Sequence, residues 1–251
     1  MQEFFSDQMT QPIEWFGVTH ILLIFGLILT LVLLWILAPK IKNCRYEKYI
    51  RFFLIGLAVI FEWRVFESRM LNGSLFRIPL CGIALYGLLY SIAFKKEKLF
   101  KIMYFYAFGT LLTYLFFDTL WGLDRWNGWT YFGAHAAIGW FAVYGYRVLN
   151  FTPTKKDLYQ SMFFLGIYAF IAGYATYKYG GSDELFLFNP PVDFMNVFKE
   201  IHHIVYLVVL ISLAALLMFG MYLPIYLTEK RKNEPHKEEI KYSSTLQSSN
   251  E

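Results

Sequence analysis

The residues able to do chemistry in this chain gather on one side of its apolar segments. Read as membrane helices, the sequence places His20, Glu62, Arg64, Glu67, Cys81, Asp118, His135, His202 and His203 in, or at the lip of, the outer half. The inner halves hold little beyond Leu, Ile, Phe, Tyr and Gly. Charge in hydrocarbon is costly and usually faces a bundle interior or a cavity, so one-sided clustering points to a polar site open to one side. Cys81 stands about one turn past Pro79, at the expected N-terminus of its helix. A buried apolar thiol is inert, whereas a thiolate needs a base, a cation or a helix N-terminus beside it. The plainer reading of a lone cysteine is a small buried hydrophobe. His135 lies roughly 15 Å along its helix from the outer end at Trp126, at about 1.5 Å per residue, and so deeper than Cys81. An intramembrane histidine needs a partner, and a hydrogen bond to a neighbouring helix would serve. The small residues around it, Gly133, Ala134, Ala136 and Ala137, permit close packing or leave room for a substrate.

The remaining candidates are acidic or imidazole groups. Arg64 and Glu67 are three apart and can pair on one helix face. Glu62 points elsewhere and needs another partner, with His20 or Asp118 the candidates. Asp118 sits about one turn from the outer end of its segment. His202 and His203 are adjacent, so their side chains diverge by about 100° and at most one faces the site. No HxxxH or CxxC spacing supports a metal, and nothing in the sequence calls for a cofactor. A retinal Schiff base is disfavoured because the last apolar segment has no interior lysine, Lys199 lying at its lip.

The elements that would position these residues are transmembrane helices. The chain is 57% hydrophobic, 21% aromatic and only 17% charged, against about 25% charged in a soluble domain. Spans need roughly 20 apolar residues. Seven are expected, over about 18–38 (closed by Pro39), 49–70, 79–94, 102–121, 126–148, 158–179 and 201–227. The fold class is therefore an all-α polytopic membrane protein, with a seven-span domain over 1–228 and a polar, Ser-rich, disordered tail over 229–251. The acidic Glu3, Asp7 and Glu14 argue against a signal peptide. Lys and Arg concentrate in alternate loops: Lys40, Lys42, Arg45 and Lys48, then Lys95, Lys96, Lys98 and Lys101, then Arg147, Lys155 and Lys156, then the tail from Lys230. Under the positive-inside rule this sets the N-terminus outside and the C-terminus inside. It also accounts for the net charge of +4, so nucleic acid is not implied. Trp121, Trp126 and Trp129 fit an outer interfacial belt. The longest loop, about 180–200, carries Leu185, Phe186, Phe188 and Phe194 and reads as a lid packed on the membrane surface. Cys44 and Cys81 fall on opposite faces, which argues against a disulfide.

Three short motifs, Phe16-Gly17-Val18-Thr19-His20, Ile78-Pro79-Leu80-Cys81 and Gly133-Ala134-His135, at these intervals across seven spans, resemble the YwaF-like bacterial integral membrane family. That family is distantly similar to an animal multi-span acyltransferase of ether phospholipids. The resemblance runs nearly to Leu227. The family pattern has an aromatic-Gly-x-x-His at span one, matched by Phe16 to His20, an acidic residue late in span two, matched by Glu62, and a histidine in span five, matched by His135. It also has Pro-Leu-His/Gln-x-Cys entering span three; here Cys81 matches, but Pro79 replaces the His or Gln.

The resemblance implies a catalytic pair of Cys81 and His135. A cysteine activated by histidine can attack an acyl ester, hold the acyl group as a thioester and pass it on. His20, Glu62 and Asp118 would then bind substrate, and the partner would be a membrane lipid. The competing reading is a binding or transport protein whose outer cavity holds a small polar ligand on the acidic and histidine side chains. The sequence leaves the oligomeric state open. The two readings separate on geometry: an enzyme needs Cys81 within reach of His135, and a binding protein needs Glu62, Asp118 and His20 to converge without Cys81.

Overall fold

The computed structural model describes all residues except 1–2, 7, 9, 11–12, 72–78, 118, 120, 181–182, 184 and 249–251. Among the described residues the regular structure is helical: α1 Val18–Lys42, α2 Glu47–Leu71, α3 Leu80–Ala93, α4 Glu97–Met103, α5 Phe108–Leu115, α6 Trp126–Arg147, α7 Lys155–Tyr179, α8 Asn196–Ile201 and α9 His203–Ser248. Three of these, α1, α7 and the part of α9 from His203 to Thr228, are long and apolar enough to cross a membrane by length and composition. Helix α3 is apolar but short, and α2 carries Glu62, Arg64 and Glu67 in its second half.

Helix α6 is the hub. It packs against α1, α2, α3 and α5, and its buried positions are dominated by small residues, Gly128, Ala134, Ala136, Ala137, Gly139, Ala142 and Gly145 among them. Small residues let helix backbones approach closely where lipid offers no hydrophobic drive for association. Two glycines show the constraint directly. A Cβ at Gly133 would meet the Phe61 ring of α2 at 2.6 Å, and one at Gly145 would meet the Phe100 ring at 2.1 Å. The outer helices are built oppositely. Only His20, Leu27 and Ala38 are buried on α1, while Ile21, Leu22, Phe25 and Ile36 stand exposed, as a lipid-facing surface would require.

Side-chain bonds set the relative direction of the central helices. Arg51 near the start of α2 donates to the Ile92 carbonyl near the end of α3, while Glu62 further along α2 accepts from Tyr86 earlier in α3. Glu47 bonds Tyr144 late in α6, while Phe61 lies on Gly133 early in α6. Thus α2 runs antiparallel to both α3 and α6.

The expected fourth segment, 102–121, is not one helix. It is α4, a 3₁₀ turn over Tyr104–Ala107 and α5, which ends at Leu115. The break is where the segment meets α7. The buried Ser161 hydroxyl lies 2.8 Å from both the Ile102 carbonyl and the Asp157 carbonyl of its own helix, and Tyr106 donates its hydroxyl to the Ser161 carbonyl at 2.8 Å. Ile102 would bond the Tyr106 N–H in an unbroken α-helix; the serine offers that carbonyl another donor and fits the tighter turn. Helix α1 continues past Pro39 to Lys42, since a proline in the last turn forfeits only one bond. His202 is extended (φ −172°, ψ 141°) and separates α8 from α9, so the last segment begins at His203 rather than Ile201. Helix α9 then continues to Ser248.

Candidate functional site

The Phe16–His20 motif is a helix start. Phe16 has a φ of +59°, and Gly17 is the N-cap of α1. His20, one turn in, reaches back so that its Nδ1 accepts the Phe16 N–H at 2.8 Å. Its Nε2 then donates to the Tyr114 carbonyl at 2.6 Å, in the last turn of α5. An imidazole that accepts at one nitrogen and donates at the other is neutral, with its proton on Nε2. The second bond satisfies a carbonyl that the end of α5 leaves orphaned, and the first fixes the backbone just ahead of the α1 N-cap. The ring is fully buried and sits edge-on to Phe117, with centroids 4.9 Å apart. His20 is therefore a tie between α1 and α5, with both nitrogens engaged.

His135 is held differently. Its Nδ1 lies 2.7 Å from the Tyr131 carbonyl one turn earlier. A ring nitrogen facing a carbonyl donates to it, and in the neutral imidazole Nε2 is then the acceptor nitrogen. The Tyr131 ring packs 4.8 Å away by centroid, and Thr110 on α5 donates to the His135 carbonyl at 2.9 Å. Glu62 lies within Coulombic reach of the imidazole. Glu62 Oε1 accepts the Tyr86 hydroxyl at 2.5 Å. Helices α2, α3 and α6 therefore bring Glu62, Tyr86 and His135 to one level. The sequence reading missed Tyr86; its phenol in an otherwise apolar segment, opposite a carboxylate needing a partner, was the available signal.

Cys81 is a half-buried cysteine in the first turn of α3, not joined in a disulfide. Pro79 is the N-cap, and the first helical bond runs from the Ile83 N–H to the Pro79 carbonyl at 3.1 Å. The backbone N–H groups of Leu80, Cys81 and Gly82 precede that bond and form the positive end of the helix. Cys81 packs against the core cluster that contains Ala134 and Ala137 of α6. It stands nearer the N-terminus of α3 than Tyr86 by about 7.5 Å along the helix axis, at about 1.5 Å per residue. Cys44 is likewise not joined in a disulfide, in the loop between α1 and α2 at the far end of the bundle.

The other candidates lie apart. Asp118 falls outside the described residues. Arg64 donates to Glu67 at 2.9 Å, both partly exposed, as their spacing predicts. His202 accepts the Ile204 N–H at 3.1 Å and is exposed, while His203 stacks on Phe188. The loop before them is pinned by Asp183, whose carboxylate accepts N–H groups from Leu187, Phe188 and Asn189 at 2.7–2.8 Å. Leu187 rests near Gly173 of α7, and Tyr206 of α9 donates to the Phe186 carbonyl. Among the described residues no three His, Cys, Asp or Glu side chains gather as a metal site would need.

Comparison with curated proteins and with solved structures yields no match. A family model does match. It covers residues 15–223, from the Phe16–His20 helix start through Cys81 and His135 into the last apolar helix, and the chain therefore belongs to the TMEM164 family of membrane proteins.

Proposed function

We propose that this chain is a multi-pass cell-membrane enzyme that transfers acyl groups between lipids, with Cys81 as nucleophile and His135 as base in a cavity opening outward. The observation that carries the reading is the anchoring of His135: its Nδ1 lies 2.7 Å from the Tyr131 carbonyl, and in a neutral ring so held Nε2 is the nitrogen able to accept a proton. The N-terminus of α3 adds a second support, since its N–H groups favour both a thiolate and the oxyanion of a tetrahedral intermediate. In the first half-reaction the thiol proton passes to Nε2, sulfur attacks the ester carbonyl, and the C–O bond breaks. The departing alkoxide takes the proton from the imidazolium, giving a thioester and a lysolipid. In the second, a lipid hydroxyl gives its proton to Nε2 and attacks the thioester, and the thiolate leaves. Water in place of that hydroxyl would make the enzyme a hydrolase. The proposal requires that the two side chains and an ester carbonyl between them bridge the axial offset of Cys81 from the Glu62–Tyr86–His135 level.

The seven-span topology, with the N-terminus outside, belongs to the same proposal. It rests on the alternating Lys and Arg bias, with the charged α2 and the broken α4–α5 segment counted as spans shielded by their neighbours. The alternative, a binding or transport protein for a small polar ligand, needs Glu62, Asp118 and His20 to converge without Cys81, and both His20 nitrogens are engaged with α1 and α5. The test uses a phospholipid with an alkyne-tagged acyl chain, incubated with the purified chain. Label that is released by neutral hydroxylamine and lost in Cys81→Ala supports the thioester. Equal labelling of wild type and Cys81→Ala rejects it.

A further inference from the structure

At the end of the bundle opposite Cys81, basic residues from separate segments converge on one concavity. A cavity of about 580 Å³ is lined by Lys42, Arg45, Lys48, Arg51, Lys95 and the single carboxylate Glu47. Glu47 is about 22 Å along α2 from Glu62, at about 1.5 Å per residue, so this is a different place from the site above.

Two of the lining groups build the cavity rather than offer charge to a ligand. Arg51, 7% exposed, donates to the Ile92 and Ala93 carbonyls at the end of α3 and lies 3.3 Å from Glu47 Oε1. Glu47 also accepts the Tyr144 hydroxyl at 2.8 Å. This carboxylate is therefore occupied, and with Arg51 it clamps α2 to α3 and α6. The other cations remain uncompensated. Lys42 bonds only the neutral Asn150 side chain at 3.2 Å, and Lys48 lies over the Tyr49 ring. Arg45 and Lys95 have no acidic partner among the described residues.

Lys95 is the telling position. It ends α3 at a φ of +52°, with the Lys96 N–H closing on the Ser91 carbonyl at 2.8 Å. That is the left-handed helix stop where glycine or asparagine is favoured. A lysine stands there against the conformational preference, and it lines the cavity. Val148, Leu149 and Phe151 complete the lining, with Val148 and Phe151 buried in the core beneath it. An excess of cations with no free carboxylate, over an apolar floor, matches a phosphate ester at a membrane surface.

We propose that this basic cavity binds the phosphate of an acidic phospholipid headgroup at the membrane surface, with Arg45 and Lys95 as principal contacts. A general excess of inner-face charge would bind acidic lipid diffusely; the proposal requires this cavity. Lys155 and Lys156 provide the comparison, since they border a separate shallow recess on α7.

The full chain is delipidated in detergent and titrated, under native mass spectrometry, with phosphatidylglycerol or with phosphatidylcholine of the same acyl chains. Wild type is expected to prefer phosphatidylglycerol. Arg45→Gln and Lys95→Asn should each weaken that lipid roughly fivefold and leave phosphatidylcholine unchanged, the scale for one cation near an anionic surface. Asparagine is chosen because it tolerates the left-handed backbone, and unchanged helical circular dichroism checks the fold. Lys95→Arg should retain the preference. Soluble glycerol phosphate forms a further arm. If it binds with the same dependence on Arg45 and Lys95 while the lipid does not, the phosphate site stands and its ligand is a soluble ester. An equal fall in Lys155→Gln/Lys156→Gln, or no fall in Arg45→Gln and Lys95→Asn, overturns the proposal.

Discussion

The buried His20 and the half-buried His135 turn different nitrogens to backbone carbonyls, and that difference predicts different mutant behaviour. His20 accepts at Nδ1 and donates at Nε2 to backbone groups at two helix ends. His20→Ala strands both groups in a dry setting, so it should lower stability by about 2 kcal/mol or more. Thermal unfolding in detergent reads this directly, and a variant as stable as wild type would remove the tie. His135→Ala should instead abolish acyl-enzyme formation while the unfolding temperature falls little. Cys81→Ser should lose most activity, since a hydroxyl without strong base help is a far weaker nucleophile. The Cys81→Ala/His135→Ala double variant should be scarcely worse than either single one, because members of one catalytic unit are not additive. Additive losses in hydroxylamine-sensitive labelling would show that the two residues do not act together. The sequence already singled out both histidines, because imidazoles in apolar helices are conspicuous. It gave His20 a role in substrate binding because tautomers depend on carbonyls that only the fold supplies, Tyr114 from α5 and Tyr131 from one turn back.

The central helices depend on glycine where aromatic rings cross them. Gly133 of α6 admits the Phe61 ring, and Phe61 precedes Glu62 on α2. Gly133→Val should push α2 away, cost about 1–3 kcal/mol by overpacking and move Glu62 from His135. Phe61→Ala in the same chain should restore part of the lost stability, and a double variant no better than Gly133→Val would show that this contact is not the cause. The small-residue run of α6 was visible in the sequence as permission for close packing, though not which ring would use it. The break in the fourth segment was invisible. Residues 102–108, where the break falls, are uniformly apolar and aromatic, and no proline or glycine marks the interruption. The groups that face each other there, Ile102 and Ser161, meet only when α7 docks. Ser161→Ala should therefore lower stability by about 1 kcal/mol, read in the same unfolding assay, by removing a donor from a buried carbonyl.

At the scale of the molecule, the arrangement separates two kinds of surface at opposite ends of the bundle. One end holds the half-buried thiol and, deeper, the Glu62–Tyr86–His135 level; the other holds the basic cavity around Arg51 and Lys95. Composition made membrane insertion legible, because 17% charged residues cannot cover a soluble surface. Length and hydropathy alone recognise only α1, α7 and the first part of α9 as spans. Helices α3 and α6 have short or mixed profiles because their neighbours cover much of them, while α2 is exposed along one side and departs through its Glu62, Arg64 and Glu67. Hydropathy is therefore weakest where the polar site is built. Topology then rests on charge placement. The loop around Asn189 should lie outside and Ser243 inside. In a Cys44→Ser/Cys81→Ala background, Asn189→Cys should react with an impermeant maleimide on intact cells, and Ser243→Cys should react only after permeabilisation. The reverse pattern would turn the molecule over and carry the thiol to the inner leaflet. Labelling of both sites on intact cells would break the odd span count, and with it the arrangement of one site per membrane face.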